Sequence, residues 1–375
     1  MNGQGTPVPR RRPRVRWSPE IALTVGLFLL CYAGLALVGF LAETPEGGMD
    51  GRLIFAWMAA FFLIGFGIAI VSVMSGIGGG VIFTPFMLAF TPVDSLIVRG
   101  TGMLVAMFSG LTSTGGVMRS GLANLKVCVY ACVAYGVGAF AGSLGAIRFA
   151  ALMGEAGEGI VRLALGGILL ALVVFFLRGG RRIEWPRVER SDRLAGALHL
   201  SLPYYEPSLG RVVDYTLHRA GWFFFAVLGV GLVGGFFGMG AGWAIVPAQN
   251  LVMGLPLKVA AANSGALLGM GNCIAVWPYI HGGAIIPLFV APWLTGHVLG
   301  GLIGTRLLIA VKSGVVRLLV LGFMGFSAYG LLARGLASIG VLPALPLWVT
   351  GLAAVVIFAL VILAVARELK APETP

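Results

Sequence analysis

Charge is what this sequence lacks. Only 11% of its 375 residues are Asp, Glu, Lys or Arg, against roughly 25% in a soluble domain. A water-soluble protein of this length cannot cover its surface with so few charges, and that class is excluded. Disorder is excluded for the opposite reason: disordered chains are poor in apolar residues, and 58% of this chain is apolar. Cysteine and histidine are scarce, at four each. Cys31, Cys128, Cys132 and Cys273 all lie in apolar segments. Cys128 and Cys132 are one helical turn apart, but no nearby Cys or His completes a metal site, so they read as buried, inert thiols. Catalytic sets are missing too, with no Ser/His/Asp constellation, no HExxH and no paired aspartates in neighbouring helices. The expectation is a protein that is not an enzyme and carries no cofactor or metal.

What the sequence has in excess is glycine and long apolar runs. The 58 glycines are about twice the usual share of roughly 7%, without the G-X-Y period of collagen. The apolar runs cover 21–42, 53–90, 97–117, 127–147, 160–177, 220–253, 259–279, 284–309, 318–332 and 345–366. A spanning helix needs about 20 residues. The runs 53–90 and 220–253 are too long for one helix, too short for two, and broken by glycine near their middle. The net charge of +12 comes from basic residues at the ends of apolar runs, where they orient a membrane protein. No aromatic–basic interleaving points to nucleic acid.

Charge placement decides how the broken segments are counted. An arm with Arg10, Arg11, Arg12, Arg14 and Arg16 precedes the run 21–42, which exceeds the roughly 7–15 residues of a signal-peptide core and lacks a cleavage site. It reads as a retained helix with a cytoplasmic N-terminus. If 53–90 returns to the side it entered from, the loop with Arg119 and Lys126 and the eight arginines of 178–219 all fall inside. If 220–253 does the same, Lys258, Lys312, Arg317, Arg367 and Lys370 also lie inside. Arg334 is then the awkward charge, near an outer helix end where it can snorkel. The stretch 178–219 reads as a solvated linker lying partly on the membrane surface; a partner-docking loop is the competing reading.

The two halves repeat. Gly76-Ile-Gly-Gly-Gly80 followed by Pro85 aligns with Gly238-Met-Gly-Ala-Gly242 followed by Pro247, and the same register sets Thr101 opposite Asn263 and Gly102 opposite Ser264. Gly142 to Arg148 resembles Gly300 to Arg306. The expected fold is an all-α polytopic membrane protein with two inverted repeats. Each repeat is a glycine-broken re-entrant hairpin plus three transmembrane helices, with extra N- and C-terminal helices outside them. The divisions are a basic cytoplasmic arm (1–20), an extra helix and outer loop (21–52), a first repeat (53–177), the linker (178–219), a second repeat (220–336), and an extra helix and tail (337–375).

Non-helical backbone at membrane depth must be buried in protein or line a water-filled cavity. Gly78, Gly79 and Gly80 permit a tight reversal and leave backbone N–H groups uncovered at the start of a returning half-helix, where anions are favoured. Gly240, Ala241 and Gly242 would do the same from the opposite face, with Pro85 and Pro247 marking the helix breaks. Thr101, Asn263 and Ser264 supply hydroxyl and amide donors, with Ser75 and Asn272 as weaker candidates. The core is nearly free of Lys and Arg apart from Arg99, so a bound anion would be met by dipoles. A glycine cluster serving only helix packing is the competing reading; Gly138-x3-Gly142 and Gly296-x3-Gly300-x3-Gly304 are better explained that way. A phosphate loop is rejected for want of a Lys-Ser/Thr. His297 sits mid-helix, more readily a histidine hydrogen-bonded between helices than a proton relay. Asp94 suits a helix cap.

Ser75-Gly-Ile-Gly-Gly-Gly-Val-Ile-Phe-Thr-Pro85 resembles the first signature of the sulfite exporter TauE/SafE family, and Gly238-Met-Gly-Ala-Gly-Trp-Ala-Ile-Val-Pro247 with Ala262-Asn-Ser264 resembles the second. The resemblance spans residues 53–332. Ala241 stands where a third glycine is usual, and Arg99-Gly-Thr-Gly102 replaces a Gly-Thr-Ser pattern. The resemblance implies a bacterial inner-membrane transporter of sulfite, sulfonates or related sulfur-containing or organic anions. Residues and resemblance together point to a secondary transporter working by alternating access at a midplane site, with both termini cytoplasmic. Its expected partners are membrane lipid and a small anionic substrate. The coupling proton or ion, the direction and the oligomeric state are left open. The alternative is a non-transporting scaffold or receptor acting through 178–219.

Overall fold

The computed structural model describes residues 50–370 other than 75–77, 120, 179–185, 187, 189, 207–210, 311–312 and 344, together with scattered positions between 26 and 41. The chain divides into two compact units, residues 1–57 and 58–375. The basic arm, and the expected helix 21–42 except for a few helical positions, lie outside the described residues, as does Ser75.

Apolar, glycine-punctuated runs form helices because in lipid every backbone N–H and C=O must be satisfied within the segment. Helix α1 is Gly51–Met74 and, after the first glycine break, α2 is Gly79–Phe90. Helix α3 is Ser95–Arg119 and α4 is Leu125–Arg178. Non-helical geometry at Gly154 divides α4 into the spans Leu125–Gly154 and Ala156–Phe175, so the loop expected across 148–159 contracts to one glycine with φ 53° and ψ −138°. A short α5, Arg193–Ala197, and a hairpin of β1, Tyr204–Glu206, with β2, Arg211–Val213, fill the linker.

The second half repeats the order. Helix α6 is Ala220–Phe237, and after the second break α7 is Gly242–Pro247, continued by a π-turn at Ala248–Val252. Helix α8 is Leu257–Ala275, α9 is Trp277–His281, α10 is Pro287–Ala310 and α11 is Ser313–Ser338. Helix α12, Leu347–Lys370, closes the described chain, and its span Trp348–Arg367 buries none of its residues. Nine helices among the described residues are long and apolar enough to cross a membrane. The first arms of both broken segments, Gly51–Val73 and Ala220–Phe237, are among them. These arms are therefore longer than the half-membrane helices of a symmetric re-entrant loop. By contrast α2, with 12 residues, is about 18 Å long, roughly half the hydrocarbon thickness.

The packing glycines act as their spacing implies, and they do so reciprocally. A β-carbon at Gly138 or Gly142 would strike the carbonyls of Leu228 and Leu232 on α6, while one at Gly296 or Gly300 would strike those of Phe62 and Phe66 on α1. Each first arm thus lies against the later glycine-bearing helix of the other half, with backbones in contact. At these positions any side chain would hold the helices apart.

Most described linker residues are exposed, and a few anchor it to the helices. Asp192 Oδ1 accepts from the Ala195 backbone N–H to cap α5, and its Oδ2 accepts from Ala220 N at 3.0 Å, fixing the start of α6. Asn124, in the turn between α3 and α4, donates to Leu200 O at 2.6 Å and to Tyr215 Oη at 2.8 Å. Burial raises the Tyr215 phenol above its ordinary value, opposed by its hydrogen bonds to Asn124 and to the Leu202 backbone. Leu200, Tyr204 and Leu217 join the buried cluster under α6 and α8.

Candidate functional site

The two glycine breaks meet. Gly78, at φ 87° and ψ 148°, occupies backbone space open to glycine alone and precedes α2 without a side-chain cap. A β-carbon at Gly80 would lie 2.8 Å from Met239 O in the second break, 2.7 Å from Gly102 O and 2.9 Å from Ala106 Cβ on α3. One at Gly240 (φ 73°) would lie 2.9 Å from the same Ala106 Cβ, 3.1 Å from Leu268 Cδ2 and 3.3 Å from Asn272 Nδ2 on α8. One at Gly78 would lie 2.8 Å from the other methyl of Leu268. Ala106 and Leu268 are 162 positions apart, the register that aligns the two glycine motifs. The breaks therefore converge over equivalent residues of α3 and α8, which cross tightly at Gly110, Gly265 and Gly269. Thr84 of α2 ties the arrangement together by donating its hydroxyl to Gly238 O at 2.8 Å.

The two breaks are not equal. The first opens onto a 12-residue helix whose leading N–H, that of Gly79, donates to Ser109 Oγ at 3.3 Å. The second opens onto six helical residues capped by Ala241, whose carbonyl accepts from Ala244 and Ile245. Gly242 starts this short piece and Pro247 ends it, where the π-turn begins. Pro85 lies inside α2 and does not end it. A six-residue helix carries little axial dipole, so the anion-attracting geometry is concentrated at α2.

The polar candidates separate. Thr101 and Ser264 are fully buried, and their hydroxyls have no hydrogen-bond partner. Asn263 is occupied elsewhere: Oδ1 accepts from Asn124 N at 2.8 Å and Nδ2 donates to Gln249 Oε1 at 3.2 Å, joining α8 to the α3–α4 turn and the π-turn. Helix rise puts Asn263 about 7 Å short of Leu268 along α8, and Asn272 about 6 Å beyond it. Asn272, rather than Asn263, is the amide beside Gly240. Its Oδ1 accepts from the buried Tyr135 hydroxyl, while its Nδ2 is buried without a partner.

His297 of α10 faces the first break. The edge of its ring lies directly against Gly79, where a β-carbon would collide with Nε2 and Cδ2. It is 1% exposed, its Nε2 on the Gly79 side has no hydrogen-bond partner, and its one polar contact is a poorly aligned hydrogen bond with the Trp293 backbone one turn back. The expected interhelical hydrogen bond of a core histidine is absent. Ser109, Asn272 and His297 were findable only in part: the 162-residue register points to α8 opposite α3, but nothing local marks α10 as the helix facing Gly79.

The buried arginines are structural here. Arg99 donates to Phe236 O at 3.1 Å and to Ser95, and stacks over the Phe236 ring. With Tyr279, which donates to Gly235 O at 2.7 Å, it satisfies the carbonyl end of α6. Arg334, half-buried, donates from Nη1 to Thr91 O at 2.6 Å, just past the end of α2. Both cations sit at negative helix ends, as the dipole favours. Asp94 caps α3, accepting from Leu96 and Ile97. No group of His, Cys, Asp and Glu among the described residues is placed to hold a metal.

Nine apolar spans among the described residues, built around two buried helix breaks, define an all-α, multi-pass membrane protein. The chain belongs to the sulfite exporter TauE/SafE family, whose model matches residues 61–331, and it is a membrane transporter. It is similar to the "Probable membrane transporter protein YunE" of Bacillus subtilis (strain 168), 23% identical over 242 residues, covering 62% of this chain and 81% of that protein. No solved structure matches it.

Proposed function

We propose that the chain is a secondary transporter moving a small anion across a bacterial inner membrane, with sulfite, a sulfonate or a related sulfur-containing or organic anion as substrate. Both termini are cytoplasmic, and the two halves are inverted repeats, each with a glycine-broken hairpin. The site lies where the breaks meet and opens alternately to either side. Gly78, Gly79 and Gly80 present the positive end of α2. Gly240, with Ala241 and Gly242 behind it, forms the opposing wall. Thr101 and Ser264 are donors that come within reach of the anion as the site opens, and Asn263 holds the inner end of α8 in place. The observation carrying this reading is the contact between the two breaks over Ala106 and Leu268, with unpartnered buried polar atoms of His297 and Asn272 beside them. A buried polar atom without a partner costs about 1–3 kcal/mol, a cost that a bound ligand relieves. Dipole and amide contacts in place of a buried lysine also let the anion leave.

The test is Gly79→Val in proteoliposomes. The new side chain meets His297 and lies 2.9 Å or less from Val105 Cγ1, so uptake of sulfite or a sulfonate should be abolished while insertion is largely kept. Wild-type flux in that variant sinks the reading. A thermal shift of the purified protein on sulfite, taurine or methanesulfonate is the companion binding assay, and no shift across that panel counts against the substrate class.

A further inference from the structure

From the placement of His297 we infer that it is a protonatable ligand of the transported anion, so that one proton binds with each anion and crosses with it. This rests on the proposed anion site and deepens it by naming the coupling ion and the residue that carries it.

Two independent features meet at one point. The first is the N-terminus of α2, a 12-residue helix with no side-chain cap at Gly78, whose leading N–H, that of Gly79, reaches only Ser109 Oγ, at 3.3 Å. The second is an imidazole, 1% exposed, whose Nε2 edge lies against Gly79 and has no hydrogen-bond partner, its remaining polar contact being the Trp293 backbone. Core histidines normally satisfy their N–H, since a buried unpaired donor costs about 1–3 kcal/mol. The partner is missing on the side facing the helix end, where an anion would sit.

The surroundings make the two binding events depend on each other. The elements around His297 bring no counter-charge. Helix α1 from Met58 to Met74 and all of α2 carry no titratable side chain. Helix α3 meets the site with Val105 and Ser109. Its Arg99 is about 9 Å from Val105 along the axis and committed to Ser95 and Phe236. Arg119 lies about 15 Å beyond Ser109, and on α10 Arg306 is about 14 Å beyond His297. Helix α8 presents Leu268 and Asn272, and its Lys258 is about 15 Å before Leu268. An imidazolium alone at this place would face the positive end of α2 with no anion to offset it, and an anion alone would be matched only by about half a unit of dipole charge. Together, anion and imidazolium neutralise each other in a dry site, where the attraction is strongest. Binding a proton from water at His297 makes anion binding tighter, and by linkage the anion makes protonation easier to the same extent. A monovalent anion then crosses as an electroneutral pair, and no bond to the substrate is made or broken.

The experiment measures protons taken up per anion bound by the purified full chain. Calorimetric titration with methanesulfonate, whose charge is fixed between pH 5 and 8, is run in two buffers of different ionisation enthalpy. The expected wild-type result is uptake of close to one proton per anion on the alkaline side. There, the dissociation constant should rise about tenfold per pH unit. In His297→Gln, binding should be weaker at pH 5, independent of pH, and without proton uptake. His297→Asn serves as a second variant should the first fail to fold. Proton uptake or a pH slope that persists in a folded variant overturns the assignment to His297. Wild-type binding without proton uptake overturns it with no variant needed, and leaves the anion-transport reading standing. Absence of binding to methanesulfonate, taurine and sulfite at every pH instead removes the anion site itself, and the inference with it.

Discussion

Adding one methyl group at Gly80 tests whether contact between the two glycine breaks matters for transport. An alanine β-carbon there would meet Gly102 O at 2.7 Å, Met239 O at 2.8 Å and Ala106 Cβ at 2.9 Å, where ordinary contact begins at 3.4 Å. Each neighbour must retreat by roughly 0.5–0.7 Å, and two of the three are main-chain carbonyls with no rotamer to change. Overpacking of this kind costs about 1–3 kcal/mol. If the touching arrangement is an obligatory state of the cycle, that penalty lowers its population, and flux, by roughly 5- to 150-fold. The matched control is Gly67→Ala on α1, where a β-carbon meets nothing within 4 Å and the helix gains up to about 1 kcal/mol. Uptake of labelled taurine or sulfite into proteoliposomes would be measured beside the thermal midpoint in detergent. Gly80→Ala should lose flux while remaining folded, and Gly67→Ala should keep both. Equal flux and equal affinity in the two variants would refute the argument, because contacts this close cannot accept a methyl without moving the breaks apart.

Thr84→Val should lower stability by about 1–3 kcal/mol, since it strips the hydroxyl donor from the buried Gly238 carbonyl without changing side-chain size; Thr84→Ser should restore the midpoint, and a valine variant as stable as wild type would remove Thr84 as the tie between the halves. Tyr215 predicts a pH effect at the anchored linker. Its folded value is raised by burial, so the neutral phenol is preferred in the folded state. That contribution is complete below the unfolded value of about 10, and it is lost as pH rises through the folded one. Wild-type thermal midpoints should accordingly fall above pH 10 more steeply than those of Tyr215→Phe, and parallel curves would contradict it. Gly79→Val, with flux lost and insertion kept, and the proton count at His297 complete the set.

Much of the fold was legible because it follows from local physics. Hydropathy alone placed the spans within a few residues of α3, α8, α10 and α12, since an apolar run of about 20 residues has few alternatives in lipid; the run 318–332 fell short of α11 at both ends. The Gly-x3-Gly spacings marked the faces where α4 and α10 would be crossed closely. Harder to read was the length of the first arms: a glycine break shows where a helix stops, not how far it has already travelled. Nor did composition foretell where the arginine-rich linker would be anchored, because Asp192, Asn124 and Tyr215 act through partners far away in sequence.

The site divides along the same line. The sequence by itself determined that two glycine breaks exist, that the first can reverse tightly at Gly78, Gly79 and Gly80, and that almost no cation lies within the apolar runs. These are properties of single residues and their neighbours. Only the tertiary structure decided that Gly80 and Gly240 press on Ala106 and Leu268, that Asn272 and not Asn263 stands beside the second break, and that His297 faces the first. The reason is geometric. Along one helix, nine residues separate two amides by about 14 Å, and which of them meets a given glycine depends on where another helix crosses, a quantity that no local pattern encodes.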